Sequence, residues 1–209
     1  MKKITRKKHL EMMIQSIPSH PKPKVELEQY STPSVIASDL LWNALSLGDI
    51  EDKNILDLGC GCGIFSIGSA LLGAKSAIGV DIDKDSIDLA RNCADDFNIN
   101  NIEFFQCDVE EFKSDSKVDT IFQNPPFGSQ KKAERGIDLK FVNKANEFSP
   151  NALYSFHMAS TEEFLIDYYE KLSFEITHIF RYAFPIPKIY EFHNKESMDV
   201  EVIVIRAIK

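Results

Sequence analysis

Asn54-Ile55-Leu56-Asp57-Leu58-Gly59-Cys60-Gly61-Cys62-Gly63-Ile64 reads as a buried strand, a glycine loop and the start of a helix. The helix runs over residues 64–72 and is closed by Gly73. Outward from this unit, strands and helices alternate. Residues 76–80, 102–107, 118–123 and 152–157 read as strands. Asp83 caps a helix carrying Ile87, Ala90, Ala94 and Phe97, and further helices are expected to about residue 147 and over 161–172. Such alternation predicts an α/β fold, a Rossmann-like, mostly parallel sheet with helices on both faces. Residues 174–182 and 200–207 are strands with no helix between them. They predict an antiparallel hairpin at one edge, joined by a long loop carrying Pro185, Pro187, Tyr190 and His193. The total is seven strands.

The chain before this unit divides in two. Residues 1–24 form a basic appendage, with an amphipathic helix over 5–17 (Leu10, Met13, Ile14, Ile17) and a linker stiffened by Pro18, Pro21 and Pro23. Residues 25–209 form the α/β domain. Its first helix has Thr32 as cap, Pro33 as first helical residue and Ile36, Leu40, Ala44 and Leu47 on one face.

The 209 residues are 44% apolar and 27% charged, the balance of a soluble globular protein. No apolar run approaches the roughly 18 residues that span a bilayer. The basic N-terminus lacks the apolar stretch of a signal peptide, so a cytoplasmic enzyme is expected. Cys60, Cys62, Cys93 and Cys107 make no zinc pattern, the five histidines have no ligand spacing, and no metal is expected. Net charge is −8, against a surface coated for nucleic acid. Basic residues nonetheless gather before residue 25 and at Lys131, Lys132, Arg135 and Lys140. These segments are either local phosphate contacts or solvated surface.

A second stretch carries the chemistry: Val118-Asp119-Thr120-Ile121-Phe122-Gln123-Asn124-Pro125-Pro126-Phe127-Gly128. The β-formers stop at Asn124 because proline cannot donate to a sheet ladder. The stiff exit fixes the Asn124 side chain, the Pro125 carbonyl and the Phe127 ring. An exocyclic amine on a planar ring is a poor nucleophile, its lone pair being delocalised. The amide oxygen of Asn124 and the carbonyl of Pro125 suit its two hydrogens, and Phe127 suits the ring. The bland alternative is a packed Asn-Pro turn.

The glycine loop lets a ligand approach backbone closely and supplies amides. It departs from the dinucleotide fingerprint G-x-G-x-x-G, since Ile64 stands where the third glycine belongs. This favours a cofactor with no pyrophosphate over a nicotinamide or flavin dinucleotide. Asp81, twenty residues after Gly61, suits ribose hydroxyls, and Asp108 with the Val109 amide suits an adenine. Asp57, Asp81, Asp108 and Asn124 all fall at strand ends, where open α/β sheets bind ligands. A helix cap is the preferred reading for Asp83 and Asp85.

With both stretches in view, the chain resembles class I methyltransferases that use S-adenosylmethionine. It is more closely similar to the methyltransferase-like-five family of ribosomal RNA adenine-N6 methyltransferases. The similarity rests on Lys22-Pro23-Lys24, Glu28-Gln29-Tyr30 with Thr32 and Pro33, the loop Asp57–Gly63, Gln106-Cys107-Asp108-Val109, Asn124–Gly128, Tyr154-Ser155 with His157, and Phe192-His193 with Asp199-Val200-Glu201-Val202. It implies that Gln29, Thr32, Gly59, Cys62, Ile64, Asp81, Asp108 and Val109 contact S-adenosylmethionine, with Asp57 and Gly61 beside them, and that S-adenosylhomocysteine is the product. It implies that Asn124, Pro125, Pro126 and Phe127 hold a flipped adenine of small-subunit ribosomal RNA, with Tyr30, Lys131 and Lys132 as substrate contacts. It further implies a small zinc-ribbon activator on a sheet edge. The third strand is such an edge, and its adjacent Phe104 and Phe105 cannot both face one side. Rival readings are guanine-N2 methylation of ribosomal RNA, glutamine methylation of release factors, DNA adenine methylation, and a ribosome-assembly factor that binds the donor without turnover.

Overall fold

The computed structural model describes residues 4–24, 29, 31–127, 136–187 and 197–209. Two helices, α1 (Lys7–Ile14) and α2 (Ser34–Ser46), precede β1 (Asn54–Leu58). Then follow α3 (Ile64–Leu71), β2 (Ser76–Asp81), α4 (Lys84–Asp96), β3 (Ile102–Gln106) and β4 (Thr120–Gln123). The chain closes with α5 (Ile137–Glu147), β5 (Ala152–Met158), α6 (Glu162–Lys171), β6 (Glu175–Pro187) and β7 (Ser197–Ile208). The strands form one sheet in the order β3-β2-β1-β4-β5-β7-β6. All neighbours are parallel up to β5, and β7 runs antiparallel to both β5 and β6. The expected seven-stranded architecture with an antiparallel edge is therefore present.

Strand alternation separates two apolar layers. Ile55, Phe122, Tyr154 and Phe156 face one layer with α1 to α4. Leu56, Leu58, Ile121 and Leu153 face the other, which holds Val142 of α5 and Leu165 and Tyr169 of α6. In the first layer, Phe122 stacks between Phe65 and Tyr154 at centroid separations of 5.5 and 5.0 Å. Among the described residues no helix is long and apolar enough to cross a membrane.

Four expectations need adjustment. The helix expected over 5–17 stops at Ile14, because Ser16 and Ile17 bond back three residues instead of four. Leu10 and Ile14 are fully buried in the first layer, so α1 belongs to the common core. Thr32 is not the cap of α2: Pro33 occupies that position, and the Thr32 hydroxyl accepts from Asn124. Pro185 and Pro187 lie within β6 instead of in a loop, paired with Asp199 and Ser197. An outermost strand tolerates proline, whose missing N–H is not needed on the open side. Tyr190 and His193 lie outside the described residues.

Candidate active site

The sheet reverses its order between β1 and β4, where Leu58 pairs with Gln123. The glycine loop and Asn124 therefore leave the sheet side by side at the carboxyl ends of adjacent strands. A cavity of about 500 Å³ opens there. The Gly59–Ile64 loop, Asp81 at the end of β2 with Ile82 after it, Asp108 and Val109 after β3, and Asn124 and Pro126 after β4 form its floor and sides. Phe141 of α5 closes one side. It sits so near Gly59 that a Cβ there would lie 2.9 Å from the ring, and Gly59 has φ +69°.

Most of the loop amides do not point at a ligand. Gly59 and Cys60 donate to the Val80 carbonyl at 2.8 and 3.0 Å, and Gly63 donates to Cys60 at 2.9 Å. Gly61 donates to Asp81 Oδ2 at 2.8 Å, while Asp81 Oδ1 accepts from the Asp83 amide at 2.8 Å. Burial raises the Asp81 carboxyl above its usual range, and these two amide bonds oppose the rise. The loop thus offers shape and a nearby carboxylate more than free donors, which corrects the expectation of a cradle of amides. Burial and Asp81 also push the Cys62 thiol up to about 11, so it stays protonated.

Asp57 does not line the cavity. It is buried on the α3 side of β1, where Oδ2 accepts from the Ser66 amide at 2.9 Å and the Ser66 hydroxyl at 2.7 Å. Gly63 caps α3 without a side chain, and Asp57 supplies the missing acceptor from the strand. Burial pushes its carboxyl up to about 7 despite the bonds from Ser66.

At the other strand end, Asn124 Nδ2 donates to Thr32 Oγ1 at 3.0 Å. Six buried side-chain atoms among the described residues lack a hydrogen-bond partner, and only His20 Nε2 and Asn124 Oδ1 belong to residues on the cavity wall. His20 Nε2 still faces Asp83 Oδ2 at 3.0 Å. Asn124 Oδ1 is left as a buried, unmatched acceptor on a residue of the cavity wall. Pro125 is buried, and the Phe127 ring stands edge-on to Phe184 at 6.1 Å. Neither lines the cavity. Tyr30, Lys131 and Lys132 lie outside the described residues.

The wall that sequence reasoning missed is the stretch after α1. Pro18, Ser19 and His20 line the cavity with Gln29 and Thr32. Three side chains anchor this stretch to one carboxylate: Lys24, Gln29 (Nε2 to Oδ2, 3.0 Å) and His20 all meet Asp83. Asp83 also caps α4 through Ser86, as expected. Burial would raise its carboxyl, yet the bonds from Lys24, Gln29 and Ser86 hold it well below the usual range. The prolines at 18, 21 and 23 were the one available signal, since they fix a path without naming its destination. His20, Asp83 and Asp85 bring ligand-type atoms within 4.8 Å of one another, but Asp83 already serves Lys24.

The cavity fits a nucleoside sulfonium. Its size is right for such a ligand. Asp81 and Asp108 stand one strand apart on its wall, and most of the glycine-loop amides are already bonded within the protein. Comparisons with known proteins agree. The methyltransferase small domain family matches residues 31–151. The zebrafish (Danio rerio) rRNA N6-adenosine-methyltransferase METTL5 is 38% identical over 95% of this chain and 97% of its own. The Drosophila melanogaster protein of that name is 34% identical over 92% of each. The crystal structure of a proposed RNA methyltransferase from Pyrococcus horikoshii superposes with a TM-score of 0.88, at 38% identity, over 99% of this chain and 98% of that one. The chain therefore belongs to the METTL5 family of rRNA N6-adenosine methyltransferases, and it is a class I methyltransferase dependent on S-adenosylmethionine.

Proposed function

We propose that this enzyme methylates N6 of an adenine in small-subunit ribosomal RNA. The observation that carries the reading is Asn124, a residue of the cavity wall whose Oδ1 is buried without a partner while its Nδ2 is held by Thr32. An amide fixed in that way accepts a hydrogen from an exocyclic amine without first breaking a bond. The adenine leaves its stack, and Asn124 orients its amine beside Pro126, which borders the pocket. The Pro125 carbonyl and the Phe127 ring stand behind that wall, and they join the amine and the base once the 124–127 segment shifts around the entering adenine. Gln29, Thr32, Gly59, Gly61, Cys62, Ile64, Asp81, Asp108 and Val109 surround the donor, while Asp57 acts from below by fixing α3. S-adenosylmethionine supplies, when bound, a methyl group already activated on a sulfonium. Positioning therefore provides most of the catalysis, and no dedicated base is required. The four free thiols suit a reducing compartment, the cytoplasm.

The open edge of β3 supports a partner. The Asn101 carbonyl and the Cys107 amide bond to β2, so the backbone groups of Ile102, Phe104 and Gln106 turn outward. Arg91 donates to the Phe104 carbonyl at 2.7 Å. Phe104 is buried against Gly79, while Phe105 is 40% exposed. A small zinc-ribbon activator adding a strand there would cover Phe105. Stimulation by such a protein should vanish in Phe105→Glu; unchanged stimulation refutes the docking.

The deciding experiment incubates small-subunit RNA with enzyme and labelled donor and identifies the methylated nucleoside by mass spectrometry. N6-methyladenosine is expected. Asn124→Ala should abolish it while donor affinity, measured by calorimetry, stays near wild type. N2-methylguanosine, or label only in a release factor, would replace this reading with a rival. Wild-type turnover in Asn124→Ala would remove that residue from the mechanism.

A further inference from the structure

A polar chain runs through the second apolar layer, away from the cavity. Gln123, the last residue of β4, donates from Nε2 to Ser155 Oγ on β5 at 2.8 Å. Ser155 Oγ lies 2.9 Å from His157 Nε2, and the Tyr169 hydroxyl of α6 lies 3.1 Å from the same nitrogen. His157 Nδ1 lies 2.9 Å from Asp138 Oδ2 in the first turn of α5. Gln123, Ser155, His157 and Tyr169 are wholly buried. Nδ1 faces a carboxylate, which accepts its proton. Burial keeps the Tyr169 phenol protonated, so it is a donor.

Ser155, His157 and Asp138 have the order of a hydrolytic triad, but Ser155 does not line the cavity and already accepts from Gln123. No external substrate reaches it. Nor does stability call for these groups. Polar side chains inside an apolar layer cost free energy unless every one is satisfied, and apolar replacements are often as stable. What the chain does is join two places. One end is the residue before Asn124. The other is the helix whose Ile137, Lys140 and Phe141 line the cavity.

We propose that Asp138 and His157 are positioning residues for methyl transfer: through Ser155 and Gln123 they fix the α5 wall of the cavity relative to Asn124. This rests on the reading of Asn124 as the group that holds the target amine. A misplacement of about 1 Å in such a site costs up to roughly 100-fold in rate.

The test compares Asp138→Ala, which removes the acceptor, with Asp138→Asn, which keeps one for the His157 Nδ1 proton. Leu165→Ala, in the same layer, is the control for lost packing alone. Well below every Tm, Asp138→Ala should lose roughly 10- to 100-fold in kcat, Asp138→Asn should stay near wild type, and Leu165→Ala should lose Tm but little kcat. The Asn124 side-chain amide signal in two-dimensional NMR should move in Asp138→Ala and stay put in Asp138→Asn. An unmoved signal, or a kcat loss no larger than that of Leu165→Ala, overturns the inference. The NMR arm needs no turnover, so it separates this failure from failure of the Asn124 reading, which full activity in Asn124→Ala would reveal.

Discussion

Asp57→Asn should change how stability depends on pH. The Asp57 carboxyl is 1% exposed, its Oδ1 has no partner, and burial moves it from 3.8 to about 7. In the unfolded chain it titrates near 3.8. Between about pH 4 and 7 the folded protein therefore holds a proton that the unfolded chain has released. Its contribution to stability is fully present below the unfolded value and is lost as pH rises to about 7. A rise of about three pH units corresponds to roughly 4 kcal/mol across that window. The asparagine oxygen can accept both bonds from Ser66, and the amide has no proton to lose. The stability of the variant minus that of wild type should thus grow by roughly 4 kcal/mol between pH 4 and pH 8. Urea unfolding of both proteins at each pH, followed by circular dichroism and by Trp42 fluorescence, measures the difference. Parallel profiles, agreeing within about 1 kcal/mol at every pH, would refute the argument.

Three further outcomes follow from the same geometry. Asp81→Ala frees the Gly61 and Asp83 amides and removes a carboxylate from the cavity wall, so S-adenosylmethionine affinity should fall by about 10- to 100-fold in calorimetry; unchanged affinity would exclude Asp81 from the site. Asp49→Ala strands Arg206, which holds that carboxylate through Nε at 2.8 Å and Nη2 at 3.2 Å, and also removes the acceptor of the Tyr154 hydroxyl. A loss of about 3–5 kcal/mol in urea unfolding is expected, and a loss under about 1 kcal/mol would show the pair to be solvated. Gly79→Ala places a Cβ 2.6 Å from the Phe104 ring and 3.0 Å from Cys60 Sγ, which should cost about 1–3 kcal/mol. Adding Phe104→Leu should return part of it; no recovery would mean that the crowding lies elsewhere.

The two stretches most legible in the sequence are those where backbone geometry dictates residue type. Gly59, Gly61 and Gly63 all have positive φ, and the prolines after Asn124 end β4 where they stand. Alternating apolar strands then determined which layer each side chain joined, as with Ile55 against Leu56. The exposed member of the Phe104–Phe105 pair was foreseeable in kind, because period two leaves one ring outside. Legibility failed where the partner is distant. Lys24 meets a carboxylate 59 residues away and Gln29 meets the same one, and no local pattern distinguishes that linker from a solvated one.

The carboxylates show the limit most clearly. Asp57, Asp81 and Asp108 read alike, each an acid at the end of a strand. Their roles diverge because of where each stands relative to the loop. Asp57 is one residue inside β1 and points to the layer that holds α3, so it serves Ser66 and is sealed off. Asp81 is the last residue of β2, level with the glycine loop, so it braces Gly61 and still borders the cavity. Both point to the same face, since Asp57 pairs with Gly79 and Asp81 lies two residues further on. Depth along the strand, not face, therefore decides whether an acid holds a helix or borders the cavity. A change of face, one step along β4, sets Gln123 against Asn124. The first turns into the sealed layer and joins the chain to Asp138, and the second stands on the cavity wall with an oxygen that no neighbour uses.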